Sequence, residues 1–367
     1  MVRAVLCVLL LALVGLTMSR PIEETPLRAP FANYRLISTS DQTPPFWVSA
    51  EAAEALSTTE LSYFDITDSP EVDLSLTPQP SAIPAAPTHQ SIVTPLLARI
   101  DKTRYSTLLT SLSTSFRNRY YSAQTGLDSA NWIFNQVSTV AANRSDITVS
   151  KFAHTWLQPS IIAKIAGTSG TREIVILGAH EDSTAAGMPT GSAPGADDDG
   201  SGSISILEVF RILVEANFRP QHPIEFHWYS AEEVGLLGSQ AVAVNYQSQG
   251  IPVRSMIQLD MIAYNRLEST VGIVTDYVDA DTIAFNRRLV DEYLAIGWTN
   301  TVCGYGCSDH ASWNRLGYRS SFPFEAQFSR RNPYIHTTAD TMNYVSVDHA
   351  AEFIKLGLAF AVELSYV

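Results

Sequence analysis

The sequence predicts an α/β sandwich around a mainly parallel central sheet, and three observations carry that expectation. From about Gln90 onward, apolar runs of strand length alternate with stretches of helical periodicity. Between Glu173 and His180 the run Ile-Val-Ile-Leu-Gly-Ala is apolar throughout, as in a strand buried on both faces. Three such runs lead directly to a metal-capable side chain, His180, Glu232 or Asp260, and open α/β sheets bind ligands at the carboxyl ends of their strands.

The chain opens with one positive charge at Arg3, an apolar run from Ala4 to Leu16, then Thr17 and Ser19. That order predicts a secretory signal peptide over residues 1–19, too short to be a membrane span. No second apolar stretch of about 18 residues follows, so a secreted protein without membrane association is expected. Residues 20–88 differ from the rest. Glu23, Glu24, Asp41, Glu51, Glu54, Glu60, Asp65, Asp68, Glu71 and Asp73 face only Arg28 and Arg35, and Pro70, Pro78, Pro80, Pro84 and Pro87 follow. An acidic, Pro-rich stretch of this kind reads as an extended, exposed pro-peptide. A short helix is expected over 49–61 and removal somewhere between Pro78 and Gln90. Residues 89–367 then form one domain.

Within it, a helix is expected over 128–142 after an Asp128 cap. A strand ends at His180, followed by a helix over 202–216, a strand over 224–230 and a helix over 239–249. A strand over 255–260 and amphipathic helices over 279–296 and 347–364 complete the pattern.

A formal charge of −13 with no basic run excludes a nucleic-acid partner, since phosphate contacts need clustered Lys and Arg. Of three cysteines, Cys7 belongs to the signal, and Cys303 and Cys307 most simply form one disulfide in an exported protein. Asn143-Arg144-Ser145 is a glycosylation acceptor.

The candidate chemistry lies in five short stretches. In His180-Glu181-Asp182 the imidazole can ligate a metal while Asp182 holds its second ring nitrogen. Glu181 is expected to point to solvent. Asp197, Asp198 and Asp199 would repel one another without a cation; Asp198 is assigned to bridge two metals, and its neighbours to a solvated loop capping the next helix. Adjacent Glu232 and Glu233 diverge, so one can ligate while the other faces substrate as a base. Asp260 and His336 complete an inventory suited to a two-metal hydrolase.

Taken in order, these motifs resemble the secreted leucyl aminopeptidases of the M28 metallopeptidase family. They are His-x-Asp, Gly-Ala-Asp-Asp-Asp-Gly-Ser-Gly, Ala-Glu-Glu-x-Gly-Leu-x-Gly-Ser, Gln-Leu-Asp-Met, Cys-Gly-Tyr-Gly-Cys-Ser-Asp-His-Ala-Ser-Trp and Ile-His-Thr-Thr-x-Asp-Thr. The resemblance runs from about Gln90 to the C-terminus, and the signal and acidic segment are similar to fungal precursors. It implies a three-layer αβα sandwich with a mixed, mainly parallel sheet, the zinc-exopeptidase fold, holding two Zn2+ per chain. His180 and Asp260 would bind one zinc, Glu233 and His336 the other, and Asp198 would bridge them. Glu232 falls at the position of the general base, Asp182 at that of the carboxylate orienting the first histidine, and Tyr305 at that of the oxyanion stabiliser. A non-proline cis peptide is implied between Asp198 and Asp199.

By the same resemblance, Met261, Phe322, Phe324, Phe328 and Ile335 would wall an apolar pocket for the first residue of a peptide with a free N-terminus, leucine above others. A monomer is expected. Two alternatives stay open: a single-zinc enzyme like the glutaminyl cyclases, which share the fold, or a non-catalytic binding domain.

Overall fold

A computed structural model describes residues 32–40, 42–56, 63–68, 71–185, 190–264 and 269–366. The signal peptide expected over 1–19 and the first part of the acidic segment lie outside these residues. The segment before the main domain is built on a small antiparallel sheet, in which β1 (Tyr34–Ser38) pairs with β2 (Phe46–Ser49) and β3 (Phe64–Asp65). Helix α1 (Ala50–Leu56) follows β2 directly, within the helix expected over 49–61. Strand alternation sends Leu36 and Ile37 to opposite sides. Ile37 packs with Ala53, Leu56 and Tyr63, whereas Leu36 and Phe64 pack with Leu236 and Ala311 of the main domain.

The Pro-rich stretch is extended as expected, but it is not a loose arm. Thr77 is buried, its hydroxyl donating to the Leu316 carbonyl and accepting from Gln247 Nε2 at 2.7 Å. The Ser81 N–H donates to Glu173 at 2.8 Å, and Arg254 Nη2 donates to the Ala82 carbonyl at 3.3 Å. Proline lacks an N–H but keeps its carbonyl, and side chains of the main domain hold this backbone in place of a ladder.

In chain order the main domain continues with α2 (Gln90–Leu97), α3 (Lys102–Ser115), α4 (Gln124–Ala141), β4 (Ile147–Phe152), β5 (Ser160–Ile165) and β6 (Ile174–His180). Then come α5 (Gly200–Glu215), β7 (Ile224–Tyr229), α6 (Leu237–Ser248), β8 (Val253–Gln258), β9 (Thr270–Val274) and α7 (Ala280–Tyr293). The chain ends with β10 (Gly297–Thr301), α8 (His310–Arg315), β11 (Ser320–Ser321), β12 (Pro323–Phe324) and α9 (Val347–Ser365). Asp128 is not the cap of α4, which starts four residues earlier after Ala123; its carboxylate instead accepts Gln124 Nε2 at 2.9 Å. Helix α7 stops at Tyr293, short of the expected Ile296, because the chain turns into β10.

The central sheet has the order β11-β8-β6-β7-β5-β4. The first four strands are parallel, and β5 and β4 add antiparallel at one edge, so the sheet is mixed. A second sheet, β10-β9-β12, stands beside it. On one face Val175, Leu177 and Ala179 of β6 pack with α5 and α9; on the other, Ile174 and Ile176 meet Val242 and Tyr246 of α6 and Trp313 of α8. That makes three layers. Helix α5 is buried from Gly200 to Val214, and its buried charges are paired, Glu208 with both Arg211 and Arg104.

Candidate metal centre and cleft

Parallel pairing brings the carboxyl ends of β6, β7 and β8 to one edge of the sheet, so residues far apart in sequence converge there. Strand β6 ends on His180; Asp260 stands two residues past β8, and Glu232 and Glu233 stand just past β7. Asp198 arrives on the loop before α5, and His336 on the loop between β12 and α9. The Asp198–Asp199 peptide is cis. Ala231, Leu236, Met261 and His336, all beside this edge, adopt positive φ angles of 57°, 61°, 51° and 55°, a conformation that surrounding packing must enforce in residues other than glycine.

Two ligand triplets result, His180–Asp198–Asp260 and Asp198–Glu233–His336, each with its donor atoms within 4.8 Å of one another. Asp198 belongs to both. Its Oδ1 lies 3.1 Å from His180 Nε2, and its Oδ2 lies 3.2 Å from His336 Nε2. His180 Nε2 stands 3.6 Å from Asp260 Oδ1, and His336 Nε2 stands 2.8 Å from Glu233 Oε2. The edge of a tetrahedron with zinc–ligand bonds of 2.0–2.2 Å is about 3.3 Å, so these spacings suit such an ion. Asp260 Oδ1 is buried with no hydrogen-bond partner among the described residues, as an oxygen reserved for a cation would be. The donor set, imidazole and carboxylate, is chemically right for zinc, and the structure supports metal binding here.

Supporting contacts fix these side chains. Asp182 lies 3.5 Å from His180 Nδ1 and accepts the backbone N–H groups of Glu232 and Glu233 at 3.0 and 3.2 Å. Asp340 accepts the N–H of Asp197 and, at 3.1 Å, that of Asp198. Ser308 donates to Asp260 Oδ2 at 2.6 Å, and the Thr184 N–H donates to Glu233 Oε1 at 3.1 Å. Arg119, fully buried, donates to the carbonyls of Glu181, Pro194 and Gly195, tying together the two loops that follow His180 and precede Asp198.

Three expectations about acidic residues need correction. Glu181 does not reach solvent: it is fully buried, and burial pushes its carboxyl well above the usual range. Asp197 and Asp199 are not solvated either, both being fully buried. Asp199 does cap α5, accepting the Gly202 N–H at 2.8 Å, but its other oxygen accepts the His180 N–H at 3.0 Å. Asp197 accepts the Ala263 N–H and the Asn332 amide, both at 2.9 Å. The two aspartates are covered instead by the groups they accept from, the backbone of His180, Gly202 and Ala263 and the Asn332 amide.

The site is electrostatically divided. Burial alone would raise the Asp198 pKa, but hydrogen bonds and charge from His180 and His336 outweigh it and hold the carboxyl low. Burial pushes the Glu232 carboxyl well above its ordinary range; His180 opposes this, and Asp309, Asp260 and Glu233 add to it.

A cleft of ≈ 460 Å³ opens over the two triplets. Asp198, Glu232, Glu233, Asp260 and His336 line it. Met261, Phe322, Phe324, Phe328 and Ile335 also line it, with Tyr305. These five apolar residues pack as one cluster with Val274 and the Cys303–Cys307 disulfide, whose S–S distance is 2.08 Å. The sequence reading missed several participants. Asp340 and Ser308 lie within recognisable motifs that give them no role, whereas Tyr63, which lines the cleft from the acidic segment, and Arg119 carry no local signal.

Residues 160–361 match peptidase family M28. The chain is 40% identical over 365 residues to Leucine aminopeptidase 1 of Coccidioides posadasii, covering 94% of this chain and 92% of that protein. It is 41% identical over 338 residues to Leucine aminopeptidase 1 of Penicillium rubens, covering 87% of each. The crystal structure of Legionella pneumophila LapA aminopeptidase is similar with a TM-score of 0.79 and 30% identity, covering 90% of this chain and 98% of that one.

Proposed function

The chain belongs to peptidase family M28 and is a metallo-aminopeptidase, and on that premise we propose that it uses two zinc ions to release leucine and other large apolar residues from peptide N-termini. One observation carries the two-zinc reading. The two oxygens of Asp198 face different imidazoles, which a single-ion site would not need. His180 and Asp260 would hold one ion, Glu233 and His336 the other, and Asp198 both.

Bound there, the ions would supply Lewis acidity toward the scissile carbonyl and an attacking water. The remaining work falls to the protein. Glu232, in the cleft beside Glu233, takes a proton from the attacking water and passes it to the leaving amine. Asp182 faces His180 Nδ1 while accepting the N–H groups of Glu232 and Glu233, so it sets the orientation of ligand and base together. The Tyr305 hydroxyl donates to the carbonyl oxygen as that oxygen gains negative charge. The cluster of Met261, Phe322, Phe324, Phe328 and Ile335 receives the apolar first side chain.

The same reading makes the chain a secreted precursor. The signal at 1–19, the disulfide and the exposed Asn143 of the glycosylation acceptor support export. No described helix is long and apolar enough to cross a membrane. Residues 20–88 would be the pro-peptide, and Glu363 grips its boundary by accepting the Thr88 and His89 N–H groups at 2.9 and 3.0 Å. Zinc content per chain, with turnover of leucine-p-nitroanilide against glutaminyl substrates, tests the proposal. One zinc, or preference for the glutaminyl substrate, would favour the cyclase-like alternative.

A further inference from the structure

The reaction above leaves one charged residue of the cleft without a task. Arg331 is the one Lys or Arg lining the cleft among the described residues, in a lining it shares with the carboxylates of Asp198, Glu232, Glu233 and Asp260. It is half-buried, and no carboxylate pairs with it among the described residues. Its guanidinium lies 4.8 Å from the ring centre of Phe328, and Nη1 donates to the Phe328 carbonyl at 3.3 Å.

The backbone beneath it is firmly held. The Arg331 N–H donates to the Phe328 carbonyl at 3.4 Å. The next residue, Asn332, is fully buried, with its N–H on Glu325 Oε1 at 2.8 Å and its amide on Asp197 at 2.9 Å. So the arginine springs from the network that supports the metal loop, and its planar fork rests on a wall residue of the apolar pocket. A guanidinium fixed in this way has lost much of its rotamer freedom before any ligand arrives, which favours bidentate pairing with a carboxylate.

We propose that Arg331 forms a carboxylate-reading subsite at the rim of the cleft, so that the enzyme favours peptides carrying negative charge just beyond the residue it removes. The proposal rests on the aminopeptidase reading of the same cleft. The carboxylate is not that of the first side chain, because the pocket there is walled by aromatic and aliphatic groups and would leave a charge desolvated. It comes either from the free C-terminus of a short peptide or from an acidic second residue. At −13 the chain repels anionic peptides at long range, so a local cation is the means by which such substrates would be retained.

The test uses the zinc-loaded enzyme with two substrate pairs, Leu-Leu against Leu-Leu-amide and Leu-Glu-Ala-amide against Leu-Gln-Ala-amide. Wild type should favour the charged member of at least one pair in kcat/KM by about 3- to 10-fold, falling as salt is raised. Arg331→Met, which keeps the apolar stem, should bring that ratio to near one, and Arg331→Lys should restore part of it. The pair that responds identifies the source of the carboxylate. Ratios near one in wild type, or a preference that survives Arg331→Met, overturn the subsite while leaving the aminopeptidase reading standing. Wild-type enzyme inert on all four peptides would strike at that reading instead.

Discussion

Asp340 Oδ2 accepts the backbone N–H of Asp198 at 3.1 Å, so a carboxylate 142 residues downstream holds the residue that faces both site histidines. The same carboxylate accepts the Asp197 N–H and thereby pins the turn entering α5. Asp340→Asn keeps the shape but offers one acceptor oxygen in place of two. Loss of such a supporting contact weakens metal affinity by about 10- to 100-fold. Chelator competition should show this while circular dichroism stays native; unchanged zinc release would remove Asp340 from the site's support.

Glu232 and Glu233 are adjacent, but only Glu233 belongs to a ligand triplet. Glu232→Gln should therefore retain full zinc content and lose about 10²- to 10⁴-fold in kcat on leucine-p-nitroanilide, the usual worth of a positioned proton carrier. Near-normal turnover sinks the assignment.

Phe324 is buried at the heart of the pocket cluster, in ring contact with Phe322 and Phe328 at 5.5 and 5.3 Å. Phe324→Ala should cost about 3–5 kcal/mol of stability. It should also enlarge the pocket, shifting the kcat/KM ratio of phenylalanine- over leucine-p-nitroanilide upward by an amount equivalent to about 1–3 kcal/mol. Comparing the two substrates on one preparation cancels differences in the folded fraction. A ratio that stays put places the first-residue pocket elsewhere.

Glu225, buried in β7, accepts from Tyr246 and His227 at 2.5 and 2.9 Å and pairs with Lys164 at 3.0 Å. Burial works to raise its pKa, but these partners outweigh it and lower the carboxyl from 4.5 to about 2. A lowered folded pKa contributes stability that is present above pH 4.5 and lost as pH falls toward 2. At 1.36 kcal/mol per unit, the contribution is roughly 3 kcal/mol. Thermal unfolding should thus fall steeply between pH 4.5 and 2 in wild type and less steeply in Glu225→Gln. Parallel curves for the two proteins would refute the linkage.

Tyr63 brings the acidic segment to the cleft, and Asp65 donates its N–H to the Gly235 carbonyl at 3.2 Å, three residues past Glu232. Gly235 has φ 103°, and a Cβ there would meet Asp65 Cβ at 2.6 Å, so the segment sits directly on the loop that carries Glu232 and Glu233. Cleavage between residues 78 and 90 followed by complete release of the segment should raise kcat/KM, more for long peptides than for leucine-p-nitroanilide. Equal activity before and after release would show that Tyr63 does not restrict the cleft.

Much of the fold was legible because its causes are local. Between Glu173 and His180 the unbroken apolar run could only be a strand covered on both faces, and the structure buries it fully. The boundaries of α4 and α7 were less legible, since Asp128 has the chemistry of a cap without its position, and α7 stops where tertiary pairing recruits β10. The candidate residues His180, Asp198, Glu233, Asp260 and His336 were legible for a related reason: each follows or precedes a recognisable element in a motif whose order is specific.

By itself, then, the sequence determined which side chains stand at the carboxyl ends of the strands, because period and chain order decide that. Tertiary structure alone decided their surroundings. It buried Glu181, Asp197 and Asp199, set Asp340 beneath Asp198, carried Tyr63 to the cleft and laid Arg331 on Phe328. Most of these relations join residues separated by long stretches of chain, and local periodicity holds no information about partners brought together only when the layers close. Even the Arg331–Phe328 contact, three residues apart, depends on a turn that the buried Asn332 anchors to Asp197, far away in the chain.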